Sequence, residues 1–307
     1  MRARLPELTT KRVAVTGATG LLGGYLIRAL LKRGADPIAV VRSPQLASRL
    51  RSLGVEVRTA DLEDVGTLTR AFEGADCVIG NAALVSFKPH AFSRYLDVNV
   101  EGTIHVFKAM RATGVTRAIQ ISTVGIYRGH RAPVDEDHPR YGEAHRHHRF
   151  NGYKVSKALG EETAWRYASK YKIDLTSLRP SVLYGAFDRN FGTWHKHALR
   201  LRPLAPYPYF ARFGLVYAGD VAEAAMLALE NPISSGKAYN VTGDDSALWK
   251  FAETWKAEDP ACQSLRLPLP LVYHRNYSAS RILQQLGWKP RSHLEGIRET
   301  LELERSE

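Results

Sequence analysis

Val13-Ala14-Val15-Thr16-Gly17-Ala18-Thr19-Gly20-Leu21-Leu22-Gly23 is the stretch that decides how this chain folds. An apolar run of strand length ends on Gly17, and glycine returns at every third position, Gly20 and Gly23, where a helical pattern begins with Leu22, Leu26, Ala29 and Leu30 on one face. Glycines so placed permit a tight turn, let backbone approach a pyrophosphate, and let helix pack closely on strand. The helix N-terminus then faces the anion. A bare strand-to-helix turn could carry the same glycines, so the flanking pattern has to arbitrate.

Short apolar runs recur near 12–16, 37–41, 55–59, 76–80, 117–122, 173–179 and 238–241, separated by helix-length segments. That alternation predicts an α/β protein with a doubly wound parallel sheet. After Arg179 the pattern loosens: residues 186–214 are rich in aromatics, His, Arg and Pro, including Pro203, Pro206 and Pro208, and read as irregular. Helix returns at 219–230, with Asp220 as the expected cap, and residues 244–307 hold two helical segments on either side of Leu286-Gly287-Trp288-Lys289-Pro290. The expected division is a nucleotide-binding domain over 1–185 and 215–243, with a smaller, C-terminal substrate cap over 186–214 and 244–307.

Composition excludes several classes. The chain has 307 residues, 44% of them hydrophobic and 24% charged, and no apolar run long enough for a membrane span. Met1 to Lys11 lacks the apolar centre of a secretory signal, so a cytoplasmic location is expected. Cys77 and Cys262 stand far apart, without the spacing of a disulfide framework or a zinc site. The formal net charge of +12 is scattered rather than gathered in one basic block, which favours a polyanionic small molecule over nucleic acid. His145, His147 and His148 lie in the loop from His138 to Arg149 without regular ligand spacing, and no metal site is expected.

Three further segments carry chemistry. Tyr153-Lys154-Val155-Ser156-Lys157 sets a phenol and an ammonium one helical turn apart, so that they share a face. A nearby positive charge lowers a phenol's pKa, and the pair is expected to move a proton to or from a substrate oxygen. Ile121-Ser122-Thr123-Val124-Gly125-Ile126-Tyr127 ends the fifth strand with two hydroxyls suited to a developing alkoxide. At the end of the second strand, Val40-Val41-Arg42-Ser43-Pro44 places a guanidinium and a hydroxyl where an acid would bind the ribose of NAD. NADP is therefore the expected cofactor, with NAD as the other choice.

The chain resembles the extended short-chain dehydrogenase/reductase superfamily, the NAD-dependent epimerase/dehydratase family, and within it the branch of dihydroflavonol reductases. The glycine spacing is that family's form, and Ala60-Asp61-Leu62, Asn81-Ala82-Ala83, Asn99-Val100-Glu101-Gly102-Thr103 and Arg179-Pro180-Ser181-Val182-Leu183-Tyr184-Gly185 follow in its order. The resemblance implies a Rossmann fold holding the dinucleotide through Gly17, Thr19, Gly20, Leu21, Leu22, Gly23, Asp61, Leu62, Asn81, Ala82, Ala83, Asn99, Lys157, Pro180 and Val182. It implies Tyr153 and Lys157 as catalytic, with Thr123 preferred over Ser122 as the hydroxyl that orients substrate. It also implies a small-molecule substrate, with a homodimer as an open possibility.

Three functions fit. The first is an NADPH-dependent ketone or aldehyde reductase; the second a nucleotide-sugar epimerase with tightly held NAD; the third a dinucleotide sensor, against which the intact Tyr153/Lys157 pair argues. Dehydration is disfavoured because Val124 and Gly125 follow Thr123, where sugar dehydratases of the family carry acids. Arg212 stands one residue away from the epimerases' diphosphate-binding arginine. Specificity is expected in 84–95, 126–150 and 186–214, where Phe87, Phe187, Trp194, Tyr207 and Tyr209 would suit an apolar or ring-containing substrate or the packing of the cap.

Overall fold

The seven apolar runs pair into one parallel sheet: β1 (Arg12–Thr16), β2 (Asp36–Val41), β3 (Glu56–Thr59), β4 (Cys77–Gly80), β5 (Arg117–Ile121), β6 (Asp174–Pro180) and β7 (Ala238–Val241). The computed structural model describes residues 8–85, 91–129, 133–145, 152–200, 206–208, 210–262, 267–269 and 274–306. Across the sheet the order is β7-β6-β5-β4-β1-β2-β3, with Val13 opposite Pro37 on one side and Cys77 on the other.

Parallel strands need crossovers, and the crossover helices cover both faces. Successive side chains alternate between the two layers: Val13 and Val15 join Leu26 and Leu30 of α1 (Leu21–Lys32), while Ala14 joins the opposite layer. That opposite layer is built from Leu68 and Phe72 of α2 (Val65–Phe72), Val106 and Met110 of α3 (Gly102–Thr113), and Ala164 and Ala168 of α4 (Gly152–Tyr171). Burying both faces is why the strands read as continuous apolar runs.

The chain lays down β1, β2 and β3 in one direction and then returns to set β4 on the other side of β1. A crevice opens where the order reverses, at the carboxyl ends of β1 and β4. Gly17 sits in that crevice with φ +65°, and a Cβ there would lie 2.9 Å from the Ala82 Cα. Only glycine fits, because both the dihedral and the approach exclude a side chain.

Beyond Arg179 the structure departs from the expected outline. Residues 186–214 contain a helix, Phe191–Arg200, and 244–307 contain three helices, Leu248–Glu258, Ser280–Leu286 and His293–Ser306, rather than two. Gly287, left-handed at φ +68°, ends the second of these. Asp220 does not cap Ala218–Glu230 through its side chain. It is buried in the first turn, where its carboxylate accepts from the Arg291 backbone N–H and guanidinium and its carbonyl from Trp288 Nε1. One cluster of buried side chains runs from Val13 and Leu26 to Phe251, Trp255 and Ile297. Among the described residues no helix is long and apolar enough to cross a membrane.

Helix α4 is held against a π-helical turn, Asp97–Glu101, through a glycine: a Cβ on Gly160 would lie 2.4 Å from the Asn99 carbonyl oxygen. Gly160→Ala should push the two segments apart, lowering stability by about 1–3 kcal/mol as an overpacked contact does. Chemical denaturation checks this, and an unchanged midpoint would mean that the two segments do not pack this closely.

Candidate active site

The carboxyl ends of β1, β2, β4, β5 and β6 open into one cleft of about 820 Å³. Its nucleotide end is organised by Thr16, whose buried Oγ1 accepts from the backbone N–H of Asn81 (3.0 Å) and Ala82 (3.1 Å). That hydroxyl fastens the loop after β4 to the end of β1. The Asn81 side chain donates to the Gly17 carbonyl (3.2 Å), as does the Gly20 N–H (3.0 Å), closing the turn before α1. Gly23 acts from behind: a Cβ there would lie 2.3 Å from the Gly17 oxygen, so it sets how closely α1 approaches the turn.

Thr19, Gly20, Leu21 and Leu22 line this end, with Asp61, Leu62, Asn81, Ala82 and Ala83 beyond them. Arg42, exposed at the end of β2, also lines the cleft. Across from it Glu63 receives a bidentate bond from Arg94, at 2.5 and 2.8 Å. That bond holds the Glu63 carboxyl below its ordinary range, and the charge of Arg42 adds to the effect. A left-handed glycine turn, a helix N-terminus and a cationic rim fit the pyrophosphate and sugar of a dinucleotide.

The other end of the cleft holds the proton-transfer groups. Tyr153 and Lys157 leave the first two turns of α4 on the side facing β5, and Pro180 and Val182 close the wall after β6. The Lys157 Nζ donates to the Ile121 carbonyl (2.8 Å). Burial pushes this ammonium down to about 8, with the negative charge of Glu161 opposing the shift. Thr123 Oγ1 accepts from the Gly125 N–H (3.1 Å) and is hydrogen-bonded with the Tyr153 hydroxyl.

The expected lowering of the Tyr153 phenol is not what this arrangement gives. Burial pushes the phenol up to about 12 and outweighs the opposing hydrogen bond with Thr123, while Tyr95 beside it, ring centres 6.5 Å apart, raises it further. Desolvation wins because the phenolate would sit among rings at the base of the cleft.

The two hydroxyls at the end of β5 differ. Thr123 faces Tyr153, whereas Ser122 lies on the side of the Glu161 carboxylate and helps to lower it. Glu161 is fully buried one turn beyond Lys157, and Arg179 Nε donates to both its oxygens at 3.2 and 3.1 Å. Burial alone would raise this carboxyl; Arg179 outweighs it and holds it at about 2, with Ser122 and Arg140 contributing. Arg179 also donates to the Tyr127 hydroxyl (2.7 Å) and the Glu136 carbonyl (2.9 Å).

Three sequence-derived residues stand away from the cleft wall. Gly23 packs behind the turn. Ser43 precedes the short 3-10 turn Pro44–Ala47 without bonding to it through its side chain. Asn99 is buried below the cleft, where its amide is used on Leu84 N–H (2.8 Å), Leu84 O (3.3 Å) and Ser156 Oγ (3.0 Å), so it braces the loop after β4 against α4. His145 sits on a short turn with its Nδ1 near Gly142, while His147, His148, Phe87 and Tyr209 lie outside the described residues. Trp194 and Tyr207 stack on each other at 5.8 Å, and Phe187 lies under the Arg49 guanidinium; none of the three lines the cleft.

Sequence reasoning missed Thr16, Lys154, Phe191, Phe213, Arg275 and Tyr277, all on the cleft. Thr16 was findable as a hydroxyl ending a strand beside the glycine turn, and Lys154 as the neighbour of Tyr153. Arg275 and Tyr277 lie where no periodicity marks them.

The family model described as "NAD dependent epimerase/dehydratase family" matches residues 13–242. Sterol demethylase protein B of Methylococcus capsulatus is 29% identical over 261 residues, 83% of this chain and 76% of that protein. Tetraketide alpha-pyrone reductase 1 of Arabidopsis thaliana is 27% identical over 305 residues, covering 92% and 91%. Dihydroflavonol 4-reductase of Zea mays is 28% identical over 243 residues, covering 73% and 68%. Among solved structures, UDP-glucose-4-epimerase from Stenotrophomonas maltophila, with bound NAD and formylated UDP-arabinopyranose, superimposes with a TM-score of 0.83 at 20% identity, covering 96% and 98%. That likeness is one of fold.

Lys157 generates a pH prediction. Its folded-state value of about 8 lies below the ordinary 10.5, so between these two pH values the unfolded chain holds a proton that the folded chain has released. Stability should therefore rise with pH across that window relative to Lys157→Met, by at most about 3 kcal/mol, and show no such gain below it. Denaturant titrations of both proteins from pH 7 to 10.5 measure this; parallel curves would contradict the assigned protonation.

Proposed function

Because the chain belongs to the NAD-dependent epimerase/dehydratase family, we propose that it is an oxidoreductase that uses NADP to reduce a ketone or aldehyde on a small organic substrate. The observation that carries this reading is the convergence of Tyr153, Thr123 and Lys157 on the same cleft as the Gly17 turn, with Arg42 on the cleft's far rim. When bound, the dinucleotide supplies the hydride.

The protein's own groups handle the proton. A phenol pushed up to about 12 keeps its proton through the neutral range, so Tyr153 is an acid that releases it only as negative charge develops on a substrate oxygen. Thr123 Oγ1 accepts from Gly125 and is hydrogen-bonded with the Tyr153 hydroxyl, which suits it to hold the phenol toward the same oxygen. Lys157 spends one N–H on Ile121 O and keeps two for the ribose hydroxyls of the dinucleotide.

Several features favour reduction over epimerisation of a nucleotide sugar. Arg212 is exposed, with its guanidinium on the Asp245 carbonyl, and does not line the cleft, whereas its neighbour Phe213 does. Val124 and Gly125 offer no acid for elimination, which speaks against dehydration and leaves the choice between reduction and epimerisation to the other features. Arg42 brings a planar cation to the rim where the 2′-phosphate of NADP would lie.

Two expected outcomes test this. Tyr153→Phe should bind NADPH as the wild type does while turnover falls by about 10²–10⁴-fold, the loss of one general acid; wild-type turnover in this variant would remove the mechanism. Arg42→Asp should move the preference from NADPH toward NADH in a fluorescence titration. If the unaltered protein bound NADH as tightly as NADPH, the role of Arg42 would fail.

A further inference from the structure

The short helix Phe92–Leu96 joins the two ends of the cleft. It is the first turn of a helical run that continues through Asp97–Glu101 into α3, and no side chain caps it at Ala91. An uncapped first turn keeps its place only through tertiary contacts. At the nucleotide end that contact is ionic: Arg94 donates to both Glu63 oxygens, at 2.5 and 2.8 Å, and both residues line the cleft. Glu63 belongs to a loop that is fixed from its other side. The Asp61 N–H donates to Thr67 Oγ1 (3.2 Å), the Glu63 N–H donates to the Asp61 carboxylate (3.0 Å), and the Leu62 carbonyl meets His105 Nδ1 (2.8 Å).

At the catalytic end the contact is made by the next residue. Tyr95 packs edge-on to Tyr153, with ring centres 6.5 Å apart and planes at 61°. Gly152, which opens α4, gives the short helix room: a Cβ there would lie 3.2 Å from Phe92 Cδ2 and 3.4 Å from Tyr95 Cδ2. Successive side chains on a helix point about 100° apart, so one turn holds Glu63 with Arg94 and Tyr153 with Tyr95. Whatever steadies Glu63 therefore steadies the ring that packs on Tyr153. The ion pair, with side chains 40% and 42% exposed, is weak in water and gains strength when a ligand in the cleft excludes water from it.

We propose that Arg94 is a positioning residue that links the two ends of the cleft: through Glu63 it makes the placement of Phe92–Leu96, and with it the start of α4 at Tyr153, depend on whether the nucleotide end is occupied. The inference rests on the dinucleotide reading above for what occupies that end.

The probes are adenosine 2′,5′-bisphosphate and ADP, which fill the nucleotide end and lack the nicotinamide that would reach Tyr153. Using both makes the test independent of the choice between NADP and NAD. Calorimetry establishes saturation, and hydrogen exchange read by mass spectrometry on the full chain follows each segment. A saturating probe should slow exchange in the loop 61–64, over 92–96 and over the start of α4, residues 152–160, the last by about two- to fivefold, the scale of one exposed ion pair. Arg94→Met and Glu63→Gln should each abolish the slowing over 152–160 while leaving it in the loop. Exchanging the charges, Arg94→Glu together with Glu63→Arg, should restore it, which loss of packing alone would not do. Exchange over β5 is the internal check on folding. Tight probe binding with slowing confined to the loop in the unaltered protein overturns the coupling and leaves the dinucleotide reading standing. Slowing over 152–160 that survives both single substitutions also overturns the coupling. Binding of neither probe overturns the dinucleotide reading, and the coupling with it.

Discussion

The ion pair between Glu161 and Arg179 underlies everything that the cleft does. Both groups are withdrawn from water, a state that is stable only when every donor and acceptor is used, because the desolvation of two charges is large. Here they are used: Glu161 takes bonds from Arg179, Arg140 and Trp165, while Arg179 reaches on to Tyr127 and Glu136. Tyr127 passes the connection to Asn240 on β7 (2.6 Å), and Glu136 accepts from the Asn240 N–H (2.8 Å). The pair thus ties α4, which carries Tyr153 and Lys157, to β6, β7 and the loop over 127–140. It also places a fixed negative charge one turn from Lys157, which keeps that buried ammonium from losing its proton at lower pH.

At the nucleotide end the ordering principle is steric. Gly17, Gly23 and Gly160 each stand where a Cβ would meet backbone atoms at 2.9 Å or less, and the elements meeting there are the crevice loops, α1 and α4. One end of the cleft is therefore shaped by the absence of side chains and the other by charges held underneath. The hydroxyls of Thr16 and Thr123 act at the two ends in the same way, each accepting backbone N–H groups just past the end of a strand.

How much of this was legible in the sequence follows from range. The seven strands were, because most of them are local apolar runs buried on both faces, and so was the glycine turn, whose spacing is itself the geometry. The two-residue pairings of 183–184 with 216–217 and 206–207 with 267–268 are too short to leave a period. Asp220 was misread as a cap because its partner, Arg291, lies 71 residues away. Asn99 carried a family expectation, but the bonds that consume its amide reach Leu84 and Ser156, which no local pattern links to it. For Tyr153 the sequence displayed the nearby ammonium and concealed the burial, so it suggested the wrong sign for the phenol's shift. Arg275 was invisible for a simpler reason: an extended segment held between two others has alternation only over the few residues that are held.

The bonds from Trp288 and Arg291 to Asp220, together with the cluster that joins Val13 to Ile297, bear on how the chain is made. One buried cluster takes in side chains as far apart in sequence as Val13 and Ile297, so part of the core forms between distant segments. Until the later segment is in place, that part of the core is left uncovered. Parallel pairings between distant segments are slow to form even then. The interval between synthesis and burial is thus a property of the topology, and in that interval the nascent molecule is most exposed to aggregation and most in need of chaperones.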